Sequence, residues 1–377
     1  ERNKRRVFGA AACALRERRR VSESVRAELV AALREVATAH SLSGVDTGAI
    51  GAAVEAAVAE AKTKAGESGA TGADLEAKTE ELLKGAGPLK DQRSAKARLA
   101  TQISARKMLR FLGAWDAEDK LHVARELVAE YERSHPLNAG GEGGQREVQC
   151  GDDLLLLATH ALIDRANELE AEAAAAKATA AEAAGPPDAP ADDAAAVEET
   201  KAGDSATAPA VAGSSGICQT PASRQLLVEA SALLEQGLLR SGFNFQFRLL
   251  LLRLYHRLGA CARLLDHYDE LDVKHIQHDS LSHLVLQPML DAAATHKVDV
   301  LLRYAGALWN NGQRDASSYA SKALDNLCLA QCEDFARLSA RLRLSRMGAQ
   351  LRALDVVLAL QESASTPQEA SAFLQRL

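Results

Sequence analysis

The sequence predicts an all-α protein: a helical-hairpin, tetratricopeptide-like solenoid carrying a disordered Ala/Pro-rich insert. Three observations lead there. Alanine supplies 75 of the 377 residues and leucine 54, against 5 isoleucines and 14 aromatics. Ala and Leu lose little entropy in a helix, whereas strands are built from β-branched and aromatic side chains. Apolar residues recur at helical spacing, in segments joined by the short connections that stacked hairpins require. No β-branched runs recur at regular intervals, so an all-β fold is excluded and a doubly wound α/β fold is disfavoured.

Along the chain, residues 1–93 read as a basic, then Ala/Gly-rich helical region. Val25, Leu29 and Leu33 share one face of the first helix, and 49–65 can be helical between Gly breakers. Residues 94–170 read as helical repeats. Leu99, Ile103, Met108 and Leu112 lead to a turn at Gly113, and a second helix over 116–133 carries Leu121, Leu127, Val128 and Tyr131. Pro136 and the glycines of 140–144 end that pair, and a further helix covers 152–170. Residues 171–222 contain 21 alanines and five of the nine prolines. Their first dozen residues can prolong a helix. Beyond Gly185 there is too little bulk to offset ordering, which reads as a disordered insert. Residues 223–377 hold 34 leucines in 155 residues and read as a repeat solenoid. Helices are expected over 223–240, 244–258 behind an Asn244 cap, 260–271, 279–287, 298–310, 315–329 and 334–360. Gly259 makes the turn of the best hairpin, with Ala262, Leu265 and Tyr268 following; no strict period repeats.

The net charge of −6 hides an asymmetry. The first 34 residues carry ten Lys/Arg against four Glu, and residues 168–204 carry ten acids against two lysines. The longest apolar runs are too short to span a bilayer, so no membrane partner is expected. The six cysteines form no CxxC, and buried thiols in a reduced, cytoplasmic protein are expected.

The motifs of catalysis are missing. There is no Walker loop, GxSxG or HExxH, and the glycines of 140–144 follow no strand. Arg110–Trp115 and Arg303–Leu308 approach an acetyl-CoA loop but end on bulky residues in helical context. His275 and His278, with His267 and His283 near, lack the ligands to complete a tetrahedral metal site and read as a polar connection. Arg337, Arg341, Arg343, Arg346 and Arg352 fall on one expected helix with no acid between Phe335 and Leu354. That face can bind phosphate-rich RNA or pair with acids of a neighbouring repeat. The cluster at Arg16–Arg20 has the same two readings.

One string is more specific. Asn244-Phe-Gln-Phe-Arg-Leu-Leu-Leu-Leu-Arg-Leu-Tyr255, then Leu258-Gly259-Ala260, then Leu271-Asp272-Val-Lys274-His275-Ile276-Gln277-His278-Asp279 resembles the family of auxiliary, non-catalytic subunits of the NatB amino-terminal acetyltransferase. The likeness extends to 104–131 and 152–164, and more weakly to 311–360. Residues 171–222 stand as an insertion, and 21–93 have no counterpart. Family members are longer, so the resemblance implies a middle piece.

The resemblance implies a scaffold without catalytic, cofactor or metal-binding residues, wrapped around a GCN5-like catalytic subunit that holds the acetyl-CoA. It also implies help in docking at the ribosome, where nascent chains beginning Met-Asp, Met-Glu, Met-Asn or Met-Gln are acetylated. Arg253, Tyr255, Lys274, His275, Gln277, His278 and Asp279 are expected on a partner-facing or repeat-locking surface. Arg337, Arg341, Arg343 and Arg346 are the candidates for ribosomal RNA or another anion. The alternatives are a generic tetratricopeptide-like adaptor or the auxiliary subunit of another acetyltransferase such as NatA. An enzyme in its own right is the third class.

Overall fold

The computed structural model describes residues 23–67, 78–79, 81–83, 86–139, 148–183, 220–274, 276–292 and 295–363, with 368–369, 371 and 375. Among them every regular element is helical, as the alanine and leucine excess requires. Two compact units divide between Phe247 and Arg248. In the first, successive helices stack along its C-terminal half, and in the second, the longest helix packs on those before and after it, as in a solenoid.

The first unit comprises α1 (Glu23–Ala39), α2 (Thr47–Glu67), α3 (Gly87–Phe111), α4 (Lys120–Ser134), α5 (Asp152–Ala183), α6 (Pro221–Arg240) and the start of α7 (Phe245–Leu258). Single 3₁₀ turns at Ala114–Ala117 and His135–Asn138 follow α3 and α4. The helix ends are set by local chemistry. Pro88 opens α3, where its missing N–H costs nothing. Gly113 leaves α3 at φ 70°, a conformation that any Cβ would strain. Asp119 accepts from Leu121 N at 2.9 Å, and Thr220 from Ser223 N at 3.2 Å. Helix α1 packs on α3, α2 on α3 and the second 3₁₀ turn, and α5 between α4 and α6. Leu33, Leu42, Leu99, Leu127, Leu154, Leu227 and Leu234 are fully enclosed.

Residues 23–67, which have no apparent family counterpart by sequence, are thus built into this unit. Val25 is the exception to the expected first face: it is 52% exposed while Leu33 is sealed. The tie is polar. Glu130, 3% exposed, accepts from Leu42 N at 2.6 Å and Ser41 Oγ at 3.0 Å and pairs with Arg133. These bonds hold its carboxyl below the usual range even though burial pushes the other way. Arg98 donates to the Ser41 carbonyl at 3.1 Å, and Gln92 to the carbonyls of Leu137 and Ala139 at 2.9 and 2.8 Å. Helix α5 runs to Ala183, so the first dozen residues after 170 do continue it. Of the rest of the expected insert, 184–219 lies outside the described residues, as do Arg16–Arg20, whereas 220–222 is not disordered but caps and opens α6.

The second unit comprises the rest of α7, α8 (Cys261–Glu270), α9 (Gln277–Leu281), α10 (His283–Asp291), α11 (Thr295–Asp325), α12 (Leu329–Arg343) and α13 (Arg346–Ser363). Gly259, at φ 72°, makes the expected turn between α7 and α8. Leu252, Leu264, Tyr268, Val285, Met289, Trp309, Leu342 and Leu351 share one core.

Three expectations fail here. The segment 279–287 is parts of two helices, breaking at Ser282. The segments 298–310 and 315–329 are one helix, α11, for most of their length; Leu327 at φ 58° ends the turn that follows it. A mid-helix glycine costs about 1 kcal/mol. At Gly312 the nearest neighbour of an added Cβ would be the movable Leu342 Cδ1 at 3.2 Å, so α11 runs through the glycine on the strength of its packing along α12 rather than on local propensity. The segment 334–360 is two helices, α12 and α13, broken at Leu344 and Ser345.

The thiols also differ from expectation. Cys150, Cys261 and Cys332 are half-buried, but Cys328 is exposed; all four are free. No described helix is long and apolar enough to cross a membrane.

Candidate interaction surface

The Asn244–Asp279 string falls on α7, α8, α9 and their connections. Its first residue ties the first unit together. Asn244 Oδ1 accepts from Gln246 N at 3.1 Å, capping α7, while Nδ2 donates to Asp152 Oδ2 at 2.9 Å. Asp152 also accepts from Ser241 Oγ and Gln149 N, both at 3.0 Å, which pins the start of α5 to the connection before α7. Burial pushes its carboxyl pKa up, and the three bonds only partly offset this.

The remaining predicted residues separate by direction. Arg253 is exposed on α7, with no hydrogen-bond or ion-pair partner among the described residues. Tyr255 is half-buried, stacked on buried His267 with ring centroids 5.6 Å apart and planes 8° from parallel. Lys274 is exposed and pairs with Asp272, which leaves α8 at φ 50°. Asp tolerates that left-handed conformation better than most residues. Gln277 is exposed and accepts from Lys274 N at 3.0 Å. His278 is 8% exposed and belongs to the packing. His275 lies outside the described residues.

Asp279 connects the two predicted groups. Its side chain is 11% exposed and faces Arg341 Nε at 3.5 Å; it also accepts from Ser345 Oγ. Ser345 in turn accepts from Gly348 N at 2.9 Å, capping α13. One carboxylate therefore fixes the corner between α12 and α13 to α9. This corner also corrects the single arginine-bearing helix: Arg337, Arg341 and Arg343 lie on α12, while Arg346 and Arg352 lie on α13. Arg337 is paired with Glu333 at 2.6 Å. Arg343, Arg346 and Arg352 are exposed without partners among the described residues. The free positive charge thus lies around the corner and on α13, not along one face.

The near-matches to an acetyl-CoA loop are occupied otherwise. Arg110 donates to both oxygens of Asp164 at 3.0 and 3.1 Å, and Gly306 lies within α11. Among the described residues no three His, Cys, Asp or Glu side chains are grouped to hold a metal ion. Sequence reasoning missed Glu130, Asp152 and Ser345. The partners of Glu130 and Asp152 are some ninety positions away and that of Ser345 66, so no local pattern marks them.

Residues 73–372 match the family model of the N-acetyltransferase B complex (NatB) non catalytic subunit. The human protein named N-alpha-acetyltransferase 25, NatB auxiliary subunit, is 30% identical over 260 residues, 67% of this chain and 21% of its own length. The N-terminal acetyltransferase B complex auxiliary subunit of Arabidopsis thaliana is 28% identical over 151 residues, 40% of this chain and 14% of its own. The Phagocyte signaling-impaired protein of Aedes aegypti is 52% identical over 58 residues, 15% of this chain and 6% of its own. The chain spans about a fifth of the length of the human relative. The matched span takes in most of both units, with the Asp152 and Asp279 ties, while Ser41 and Leu42, which Glu130 holds, precede it. The chain belongs to the family of non-catalytic subunits of the N-acetyltransferase B complex.

Proposed function

We propose that this chain is a scaffolding portion of a NatB auxiliary subunit, holding a GCN5-like catalytic subunit on a tetratricopeptide-like array of helices. Family membership over residues 73–372 carries the reading. The chemistry then resides on the partner, which binds acetyl-CoA and acetylates nascent chains beginning Met-Asp, Met-Glu, Met-Asn or Met-Gln in the cytoplasm, at the ribosome. A stack of helices suits that task, because a preorganised surface loses little entropy when a compact partner docks.

In the second unit the exposed side chains Arg253, Lys274 and Gln277 are the partner-facing ones. Tyr255, His278 and Asp279 hold the elements that present them. Arg343, Arg346 and Arg352 form the ribosomal RNA contact, each neutralising a phosphate and releasing a counterion.

Co-expression with the catalytic subunit and quantitative pull-down test the scaffold, which is overturned by failure to capture it on a folded chain. Reversing Arg253 and Lys274 to Glu should lower capture about tenfold at unchanged helicity, the loss expected of central charged contacts. Unchanged capture would remove these residues from the interface. For the RNA contact, replacing Arg343 and Arg346 by Ala should reduce the slope of log affinity against log salt by about 2, near one unit per phosphate contact.

A further inference from the structure

The first unit carries a second surface that none of these assignments uses. Helices α4 and α6 each pack closely on α5 but touch one another little. Between them lies an open trough of about 880 Å³, which can seat several large side chains. Its lining is regular. Leu121 and Val128 on α4, Leu162 and Leu169 on α5, and Leu226 and Leu233 on α6 all face it. Each pair is seven residues apart, two helical turns or about 10.5 Å. Three apolar rows with one shared axial repeat present a surface complementary to another α-helix bearing large residues two turns apart. Ala124, Ala129 and Ala222 also line it, and their small side chains leave depth for those residues.

The rims differ in charge. On the α4 side Arg125 is exposed and has no partner among the described residues. Arg165, on the floor, is held by Glu168 and Glu172 at 3.1 and 3.0 Å. The α6 side offers Gln225, Glu229 and Gln236, with Glu229 accepting from Gln225 at 3.1 Å. The cationic rim calls for a carboxylate, and the α6 rim for an amide or ammonium group. Nucleic acid is a poor fit, since Arg165 on the floor is already paired with two acids beside Leu162 and Leu169 and the α6 rim carries another acid.

We propose that the α4–α5–α6 trough docks an amphipathic helix of a partner polypeptide. That helix has two large apolar residues seven positions apart, a Glu or Asp on the flank beside Arg125, and a Lys or Gln on the flank beside Glu229. The trough is built from residues of the first unit and the Arg253–Gln277 face from residues of the second, and the inference does not depend on the identity of the catalytic subunit.

The test uses the 377-residue chain and a fluorescein-labelled Ala-based helical peptide with Leu two turns apart, Glu on one flank and Lys on the other. A peptide of the same composition with its leucines on opposite faces is the control. Anisotropy should show the patterned peptide binding at least about tenfold more tightly than the control, as expected for burying two anchor side chains. Leu233→Asp should abolish that advantage at unchanged far-UV circular dichroism. Arg125→Glu, at an exposed site that leaves the fold intact, should weaken the peptide several-fold and favour a version with its flanking Glu changed to Lys. Equal binding of the two peptides, or indifference to Arg125→Glu, overturns the proposal. So does self-association of the wild-type chain that Leu233→Asp abolishes, because the occupant would then be a second copy. If the peptide fails while the catalytic subunit is still captured, the trough proposal falls and the scaffold reading stands.

Discussion

The two units reach similar helical stacks by different means. In the first, buried polar side chains tie helices to the connections beside them: Glu130 to Leu42 N, Gln92 to the carbonyls of Leu137 and Ala139, and the Asp152 carboxylate to the side chains of Asn244 and Ser241. In the second, one apolar core of leucine, methionine, tyrosine and tryptophan runs from α7 to α13, and the Asp279–Ser345 contact fixes a single corner. Apolar packing is tolerant of register, because many arrangements of leucine bury similar area. A buried carboxylate accepting a particular N–H is not tolerant, since any other placement leaves a donor or a charge unsatisfied. The contrast teaches that the first unit adds buried polar ties, which set register, to its enclosed leucines, while the second relies mainly on volume.

The sharpest way to break the comparison is to remove volume from the second unit. Leu264 is fully enclosed, and Leu264→Ala should cost about 2–5 kcal/mol as a cavity forms. Hydrogen exchange should accelerate in α7 to α13 and stay unchanged in α1 to α5. Equal acceleration throughout would mean the two units unfold as one.

Next is the polar tie. Glu130→Ala should cost about 3 kcal/mol, because Leu42 N–H and Ser41 lose their acceptor in a buried site. Glu130→Gln, which keeps an acceptor, adds a pH test. The folded pKa of Glu130 is lowered, so its charge stabilises above the unfolded value near 4.3 and that stability is lost as pH falls through the folded value. The gap in urea midpoint between wild type and Glu130→Gln should therefore be widest near neutrality and close below about pH 4.3. Asp152 opposes this. Its pKa is raised, so its contribution falls as pH rises from about 3.9 through the folded value.

A third substitution probes close approach in the first unit. A Cβ at Gly51 would lie 2.7 Å from the Pro136 carbonyl oxygen. Backbone cannot yield as a side chain does, so Gly51→Ala should cost about 1–3 kcal/mol by thermal melting. The smallest effect is expected at Gly312. There the neighbour is a leucine methyl at 3.2 Å, which can shift, and the gain in helix propensity should dominate. Gly312→Ala should be stabilising by about 0.5–1 kcal/mol, whereas a loss would mean that α11 needs the bare backbone more than the helix.

The fold class was legible because composition and 3.6-residue spacing act locally, and the α7–Gly259–α8 hairpin follows from residues close in sequence. The errors fall where a distant partner decides. Nothing near Gly312 announces Leu342, and nothing near Ser345 announces Asp279, so one helix was divided and another joined. Residues 23–67 were hard to place because their anchor, Glu130, lies on α4. Of the candidate surface, sequence names residues without giving their directions. Arg253, Lys274 and Gln277 point outward, while Tyr255, His278 and Asp279 are held inward, and side-chain direction is a property of packing rather than of composition.

The unbroken α11 has a mechanical consequence. Its 31 residues make a rod about 46 Å long at 1.5 Å per residue, packed against α10, α12 and α13. Such a rod resists compression along its axis, because every turn is braced by hydrogen bonds parallel to it. A push on the α10 end travels as a displacement to the turn before α12, not as local bending. Compliance in the second unit then concentrates in its unbraced corners, at Asp272 and at Leu327. Under load α11 behaves as a strut and those corners as joints.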